Sequence, residues 1–515
     1  MPIRRALAGA LVPFVLLGIA LIALTGACAR QPVAVGAPLE AFVAHLDVSV
    51  PRSMRTYDVP GVAIALVRGG VPVWLGAYGD AERERDRPMT VDAVFQTGSI
   101  SKSVSAWGAL RLVELGLVGL DDPVTVHLGE GVVPTAANPA EAITLRRVLS
   151  HTAGAALGPI GDEYPPDGAV PSLRTALARD LRLVRAPGTS FGYSNPGFDV
   201  VELLIEEVSG RPFAAFMEDE VLRPLGMHDA GFVWREHDRP RVPSGYDLRG
   251  TPVAPYVYPG KASGGLFATV GDIARFVAAS VAADGTAAAL VLSDAGVRAL
   301  HEPVVPIPGV FGVVADAYAL GHFIEVLPDG GRAVWHGGQG NGWMTHFHAV
   351  PATGDGIVIL TNSQRSWPLM SRTLRDWAAW AGVGPVKFGR ISSGVIAVWL
   401  LIAAIVALSL WTVVRLAYAV RSGRRRFAPG AAASRGPRAL QALAGFAVLV
   451  VLAWRSSQPY LIETSVFPVV AAWLGWAIAA LACVLTMSAA FAPCAGRDRA
   501  GAVGASPIDR GDAAS

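Results

Sequence analysis

Arginine supplies nearly all the basic charge in this chain. Of 43 basic residues only Lys102, Lys261 and Lys387 are lysine. A buried lysine can shift its pKa and act as a base, which arginine cannot do in a protein. Lys102 ends the stretch Phe95-Gln-Thr-Gly-Ser99-Ile-Ser-Lys102. On a helix, residues three apart face the same way, so Ser99 and Lys102 have the spacing of a nucleophile and its activating base. A lone Ser-x-x-Lys also arises by chance. Two further stretches could complete such a site. In Phe191-Gly-Tyr193-Ser-Asn195-Pro196, a phenol could take the serine proton if nearby positive charge lowers its pKa, and Asn195 could donate to a substrate amide. By itself that stretch reads first as a Gly/Asn/Pro turn with a packed tyrosine. In Trp335-His336-Gly-Gly338-Gln339-Gly-Asn-Gly342, glycines would let a substrate backbone lie alongside, and the amide beyond them could face an oxyanion. Its plain alternative is a tight glycine turn with a structural histidine.

The elements that must hold these residues follow from pattern. Ser99 is expected where a strand ends and a helix begins, with its amide left without an intrahelical partner. Apolar runs at 62–67 and 71–78 flank Arg68-Gly69-Gly70, a hairpin signal. Further strands are expected over 318–327, 332–336, 344–350 and 356–361, and helices over 101–115, 145–150, 173–184, 198–208, 271–279 and 368–380. Strands from both ends around a helical centre predict an α+β fold whose antiparallel sheet is closed by the two termini.

Composition locates what remains. Hydrophobic residues make up 52% and charged residues 16%, against roughly 25% charged in average proteins. Disorder and a coiled coil are excluded as the main state. The net charge of +2 gives no reason to expect nucleic acid as a partner. Cys28, Cys483 and Cys494 all lie outside the long middle of the chain, so neither a disulfide framework nor a thiolate metal site can form there. The apolar excess sits at the ends. Arg4 and Arg5 precede an uncharged run over 6–27, a signal peptide or N-terminal membrane anchor covering 1–29. Three spans are expected at 395–414, 439–455 (short, hence marginal) and 467–492. Six arginines from Arg421 to Arg438 make 415–438 a cytoplasmic loop by the positive-inside rule. The tail 493–515 then also lies inside, while 30–390 and the loop 455–465 lie outside. The spans carry no interior ionisable residue and read as an anchor rather than a transport path.

Ser99-x-x-Lys102, Tyr193-x-Asn195 and His336-x-Gly338, in that order, resemble the serine β-lactamase and penicillin-binding protein superfamily. The likeness is to its branch of class C β-lactamases, D-alanyl-D-alanine carboxypeptidases and esterases. Leu149 to Gly154, Pro224 to Met227 and Ala262 to Thr269 are similar as well. The resemblance implies a β-lactamase/transpeptidase-like fold: an antiparallel sheet flanked by helices, a helical subdomain and a cleft between them. It implies Ser99 as nucleophile, Lys102 and Tyr193 sharing acid and base work, and the amides of Ser99 and Gln339 as oxyanion hole. Asn195, His336 and Gly338 would bind substrate. Many members carry lysine where His336 stands; a histidine is usually neutral at pH 7, which leaves room for an esterase or another amidase.

The expected protein is a multi-pass protein of the bacterial cell membrane with a serine hydrolase domain on the outer side. Its substrate would be a small-molecule or peptide acyl compound, its other partner the lipid bilayer, and no cofactor is expected. The layout also resembles peptidases that remove N-acyl-D-amino-acid leaders. The alternative is a penicillin-binding sensor acylated once at Ser99, for which the segments after the first span offer no output domain. His346 and His348 share a strand face but lack a third metal ligand. His151 reads as structural, and Lys261 as a surface-loop lysine near the cleft. Without Gly-x-Ser-x-Gly or His-Glu-x-x-His, α/β-hydrolase and zincin readings lose their support.

Overall fold

The computed structural model describes residues 33–129, 131–133, 142–159, 162–282, 287–432, 434–457 and 462–494. The segment expected over 1–29 and the tail beyond 494 fall outside the described residues. The chain forms two compact units. One reaches to Val395 and takes in Ile462–Pro468; the other holds the described parts of 396–461 and 469–494.

The large unit opens with helix α1 (Leu39–Tyr57), which buries Phe42, Leu46, Val50 and Met54 at four-residue intervals. Strands β1 (Gly61–Arg68) and β2 (Val71–Glu82) follow, then β3 (Arg87–Pro88) and β4 (Phe95–Gln96). Gly69 and Gly70 both take positive φ, as a two-residue hairpin turn requires. Helix α2 (Ile100–Glu114) is next, then α3 (Leu145–Leu149), α4 (Leu173–Asp180) and α5 (Asn195–Ser209). After β5 (Phe267–Ala268) and α6 (Val270–Val281) come β6 (Val305–Pro306), β7 (Ala317–Tyr318), β8 (Phe323–Val326), β9 (Arg332–Gly340), β10 (Trp343–Val350), β11 (Asp355–Thr361) and α7 (Trp367–Ala381).

These strands build a nine-stranded sheet in the order β3-β2-β1-β11-β10-β9-β8-β7-β6. The termini close it as expected: β1 lies antiparallel between β2 and β11, with Ile64 opposite Ile359. Residues 61–67 of β1 are all buried, the signature of a strand covered on both faces. At the same edge of the core, Phe42 of α1 stacks on Trp380 of α7 at 4.5 Å. α2 is buried on nearly every side, so it runs through the core instead of lying on it. The sheet and the helical stretch between β4 and β5 form one compact unit, not two.

Three expectations shift. The strand expected over 318–327 is two short strands, because Ala319–His322 turns back on itself with Gly321 at φ 76°. A side chain at 321 would meet Ala106 of α2 at 2.8 Å, so helix packing fixes that break. The helix expected over 173–184 stops at Asp180, after which Leu183 bridges to Ala155. β9 continues past His336 to Gly340.

The small unit is helical. α8 (Arg390–Arg421) begins in the large unit and continues into the small one; α9 (Arg435–Ser456) and α10 (Val470–Ala489) complete it. All three are long and apolar enough to cross a membrane. Gly445 lets α9 approach α10 closely, since a side chain there would meet Thr486 Oγ1 at 2.3 Å. Arg438, at the start of α9, is buried and donates to the carbonyls of Ala489 and Ala428.

Candidate active site

Short β4 delivers the chain into a turn where Gly98 takes φ 55° and Ser99 caps α2. Glycine is needed at 98 for a second reason: a Cβ there would sit 3.0 Å from the Gln339 nitrogen. At Gly338 a Cβ would fall 1.9 Å from the Thr97 carbonyl oxygen, so the glycines of β9 let that strand press against the Ser99 turn. Thr345 Oγ1 ties the neighbouring strand to the same Thr97 carbonyl at 2.6 Å.

One turn into α2, Lys102 is fully buried. Its Nζ donates to Ser263 O at 2.6 Å and Asn195 Oδ1 at 2.8 Å, and lies 3.2 Å from Ser99 Oγ. It also sits 4.9 Å from the centre of the Tyr193 ring. Burial lowers its pKa to about 7, against the opposing pull of Asp199. Tyr193 moves the other way. Burial pushes its phenol up, while a hydrogen bond with Ser99 works against that shift. The lowered phenol pKa considered from sequence is therefore not what this environment produces: Lys102, not Tyr193, is the group made easy to deprotonate.

The Tyr193–Asn195 segment is held from beneath. Ser194 caps α5 by accepting from the Gly197 amide, with Pro196 in the first turn. His151, at φ 57°, accepts the Ser194 N–H on Nδ1 and packs its ring 4.3 Å from that of Tyr193. The structural role expected of His151 thus has a definite object, which is to seat Tyr193.

His336 lies close by but is engaged elsewhere. Its Nδ1 donates to the Gly337 carbonyl at 2.9 Å, so Nε2 accepts from the Tyr318 hydroxyl at 3.1 Å. The ring is buried, and burial together with Lys102 holds its pKa well below the usual histidine range. Its ring is neutral and both nitrogens already have hydrogen-bond partners. His346 and His348 are buried beside Trp335, with Glu325 at 3.8 Å from His348. Among the described residues no group of three potential ligands comes together around them.

Sequence reading missed Asp199 and Glu202. Both stand on α5, four and seven residues after Asn195, and so on its face of the helix. Asp199 lines the same cleft as Ser99, Asn195, Ser263 and Gln339. Burial and Glu202 raise its pKa to about 7. Glu202 is fully buried and accepts from the amides of Lys261 and Ala262 and from Lys261 Nζ. Lys261 is thus one end of a staple that holds the loop carrying Ser263, rather than a surface-loop lysine. The helical spacing from Asn195 was the available signal for both acids.

The arrangement can activate a serine hydroxyl, which is the chemistry of acyl transfer. Comparison with known proteins agrees. Esterase EstB of Burkholderia gladioli is 31% identical over 42% of this chain and 58% of its own length. Penicillin-binding protein 4 of Amycolatopsis lactamdurans is 29% identical over 60% of this chain and 83% of its own. The carboxypeptidase/endopeptidase AmpH of Escherichia coli K12 is 26% identical over 59% and 80%. Among solved structures, the octameric penicillin-binding protein homologue of Pyrococcus abyssi superposes with a TM-score of 0.57 at 26% identity, covering 67% of this chain and 78% of that one. A class C β-lactamase shares the fold at 0.53, with 20% identity over 64% and 94%. The Beta-lactamase family model matches residues 42–379. The chain accordingly belongs to the β-lactamase family of serine hydrolases, with three apolar helices following the family domain.

Proposed function

We propose that this protein is a membrane-anchored serine hydrolase that cleaves ester or amide bonds through an acyl-enzyme on Ser99. The observation that carries the reading is the set of groups around Lys102 Nζ. Two of its three neighbours, Asn195 Oδ1 and Ser263 O, can only accept; the third, Ser99 Oγ, can also donate. A neutral amine satisfies this set completely. It gives its two N–H groups to the oxygens and turns its lone pair on the Ser99 hydroxyl.

In the proposed reaction Lys102 takes the Ser99 proton as Oγ attacks the substrate carbonyl carbon. The amides of Ser99 and Gln339 stabilise the oxyanion; loss of one such donor costs about 3–4 kcal/mol. The Tyr193 phenol, whose raised pKa keeps its proton in place, passes a proton to the leaving group as the acyl-enzyme forms. Water then releases the acyl group by the same steps in reverse. The relatives named above, an esterase, a penicillin-binding protein and a D-alanyl-D-alanine carboxypeptidase, bracket the range of acyl donors to test.

A panel of nitrocefin, a p-nitrophenyl ester, a D-Ala-D-Ala peptide and an N-acyl-D-amino-acid amide would decide it. Wild type should turn over at least one, and Ser99→Ala and Lys102→Ala should lose that turnover. A fluorescent acylating probe that labels Ser99 and never leaves would instead establish a once-acylated sensor. Labelling that persists in Ser99→Ala would overturn both readings.

A further inference from the structure

The charges around the Ser99 cleft are unequal. Asp162, Asp180 and Asp199 line it, and no lysine or arginine does among the described residues. Asp162 and Asp180 are both paired with Arg179. Asp199 has no such cation. Lys102, whose charge acts on it, is itself engaged by Ser263, Asn195 and Ser99. Oδ1 of Asp199 is buried with no hydrogen-bond partner among the described residues. An unsatisfied carboxylate oxygen shielded from water is costly, and a substrate that supplies the missing donor recovers that cost. Gly260 packs directly against this carboxylate, since a Cβ there would fall 2.1 Å from Oδ1. His336 is neutral and engaged, so it offers no cation to a carboxylate.

We propose that the cleft selects acyl substrates carrying an ammonium group, which Asp199 receives, and discriminates against substrates carrying a carboxylate. The proposal rests on Ser99 being the nucleophile of this cleft. It concerns the charge of the substrate, and the ammonium can belong to the acyl part or to the leaving part.

Two matched series separate these cases. In the first, the acyl group varies: p-nitrophenyl esters of ε-aminocaproic, heptanoic and pimelic acids. In the second, the leaving group varies: para-aminomethylphenyl, para-ethylphenyl and para-carboxymethylphenyl acetate. Assays of the full-length protein in detergent at about pH 8.5 keep Asp199 ionised and the amines protonated. In at least one series kcat/KM should fall from cationic to neutral to anionic substrate, with a cation-to-anion ratio of about tenfold or more, and added salt should compress that ratio. Asp199→Asn, which keeps the shape, should collapse the ratio toward one, whereas Asp180→Asn should preserve the ranking. If the anionic ester reacts as fast as the cationic one in both series, or if Asp199→Asn keeps the ratio, the proposal is overturned while the hydrolase stands. If no ester reacts and a fluorophosphonate fails to label Ser99, the hydrolase reading falls and takes the proposal with it.

Discussion

Lys102 must be buried enough to lose its proton and yet held firmly enough to stay beside Ser99. Its three neighbours meet both demands, and its aromatic surroundings exclude the water that would keep it charged. The sign of the resulting pH dependence is definite. The base form is the neutral one, and burial brings its pKa down to about 7. The kcat/KM of a neutral ester should therefore rise with pH through about 7 and fall about tenfold for each unit below that. Lys102→Arg should lose about 10²–10⁴-fold, because a guanidinium keeps its proton throughout that range. A pH–rate profile on an uncharged substrate checks the first expectation. A profile flat from pH 5 to 9 would remove Lys102 from the role of base.

The helix α5 does more positioning than any other element of the site. Its cap fixes Tyr193 and Asn195, and Glu202 reaches from it to hold Lys261 and Ala262 of the loop that presents the Ser263 carbonyl to Lys102. Glu202→Ala leaves two backbone amides without their carboxylate acceptor. It should cost about 3 kcal/mol, since breaking a buried ionic contact strands its partners, and it should lower turnover along with the thermal midpoint. Lys261→Met should cost less, because its ammonium is a third exposed and the amide contacts remain. Melting curves and kcat/KM measured together check the order; the reverse order would mean that the carboxylate is not the anchor. The same helix shows what could and could not be read from the chain. The hairpin of β1 and β2 and the run from β9 to β11 were legible because alternation, glycine turns and apolar runs act locally. Ser99, Lys102 and Tyr193 stood out because their side-chain types and spacing are those that the proposed chemistry needs. Ser263 enters the lysine's surroundings through a backbone carbonyl, which no residue type announces. Asp199 and Glu202 sit in Asp-Val-Val-Glu, which reads as the solvated face of an amphipathic helix until the loop folded over it is known. The break at Gly321 was hidden for a related reason, since it is imposed by α2, far away in sequence.

The arrangement of the spans follows from a contact inside the large unit. Ile462–Pro468 lies between α9 and α10 in sequence, yet it belongs to the catalytic unit. Ser465 is fully buried there and its hydroxyl donates to the Gln364 carbonyl at 3.0 Å. Gln364 in turn donates to the carbonyl of Gly340, at the end of the strand that carries Gln339. A segment packed this way must share a side of the membrane with the catalytic residues. On the proposed membrane anchoring, α8 would cross away from that side, and α9 would have to cross back for 462–468 to reach its place. The marginal apolar run of α9 would thus have a reason to span, and its close approach to α10 at Gly445 would give it a helix partner there. That path would put the arginines between α8 and α9 inside, in keeping with the positive-inside rule. Alkaline phosphatase, active only outside the cytoplasm, tests the whole path when fused at successive points. Fusion after Gly430 should be inactive, after Ser457 active and after Cys494 inactive again, with a fluorescent protein giving the complementary pattern. Phosphatase activity at Gly430 would place the arginine loop outside. Inactivity at Ser457 would mean that α9 does not cross, and Ser465 could not then reach the catalytic unit.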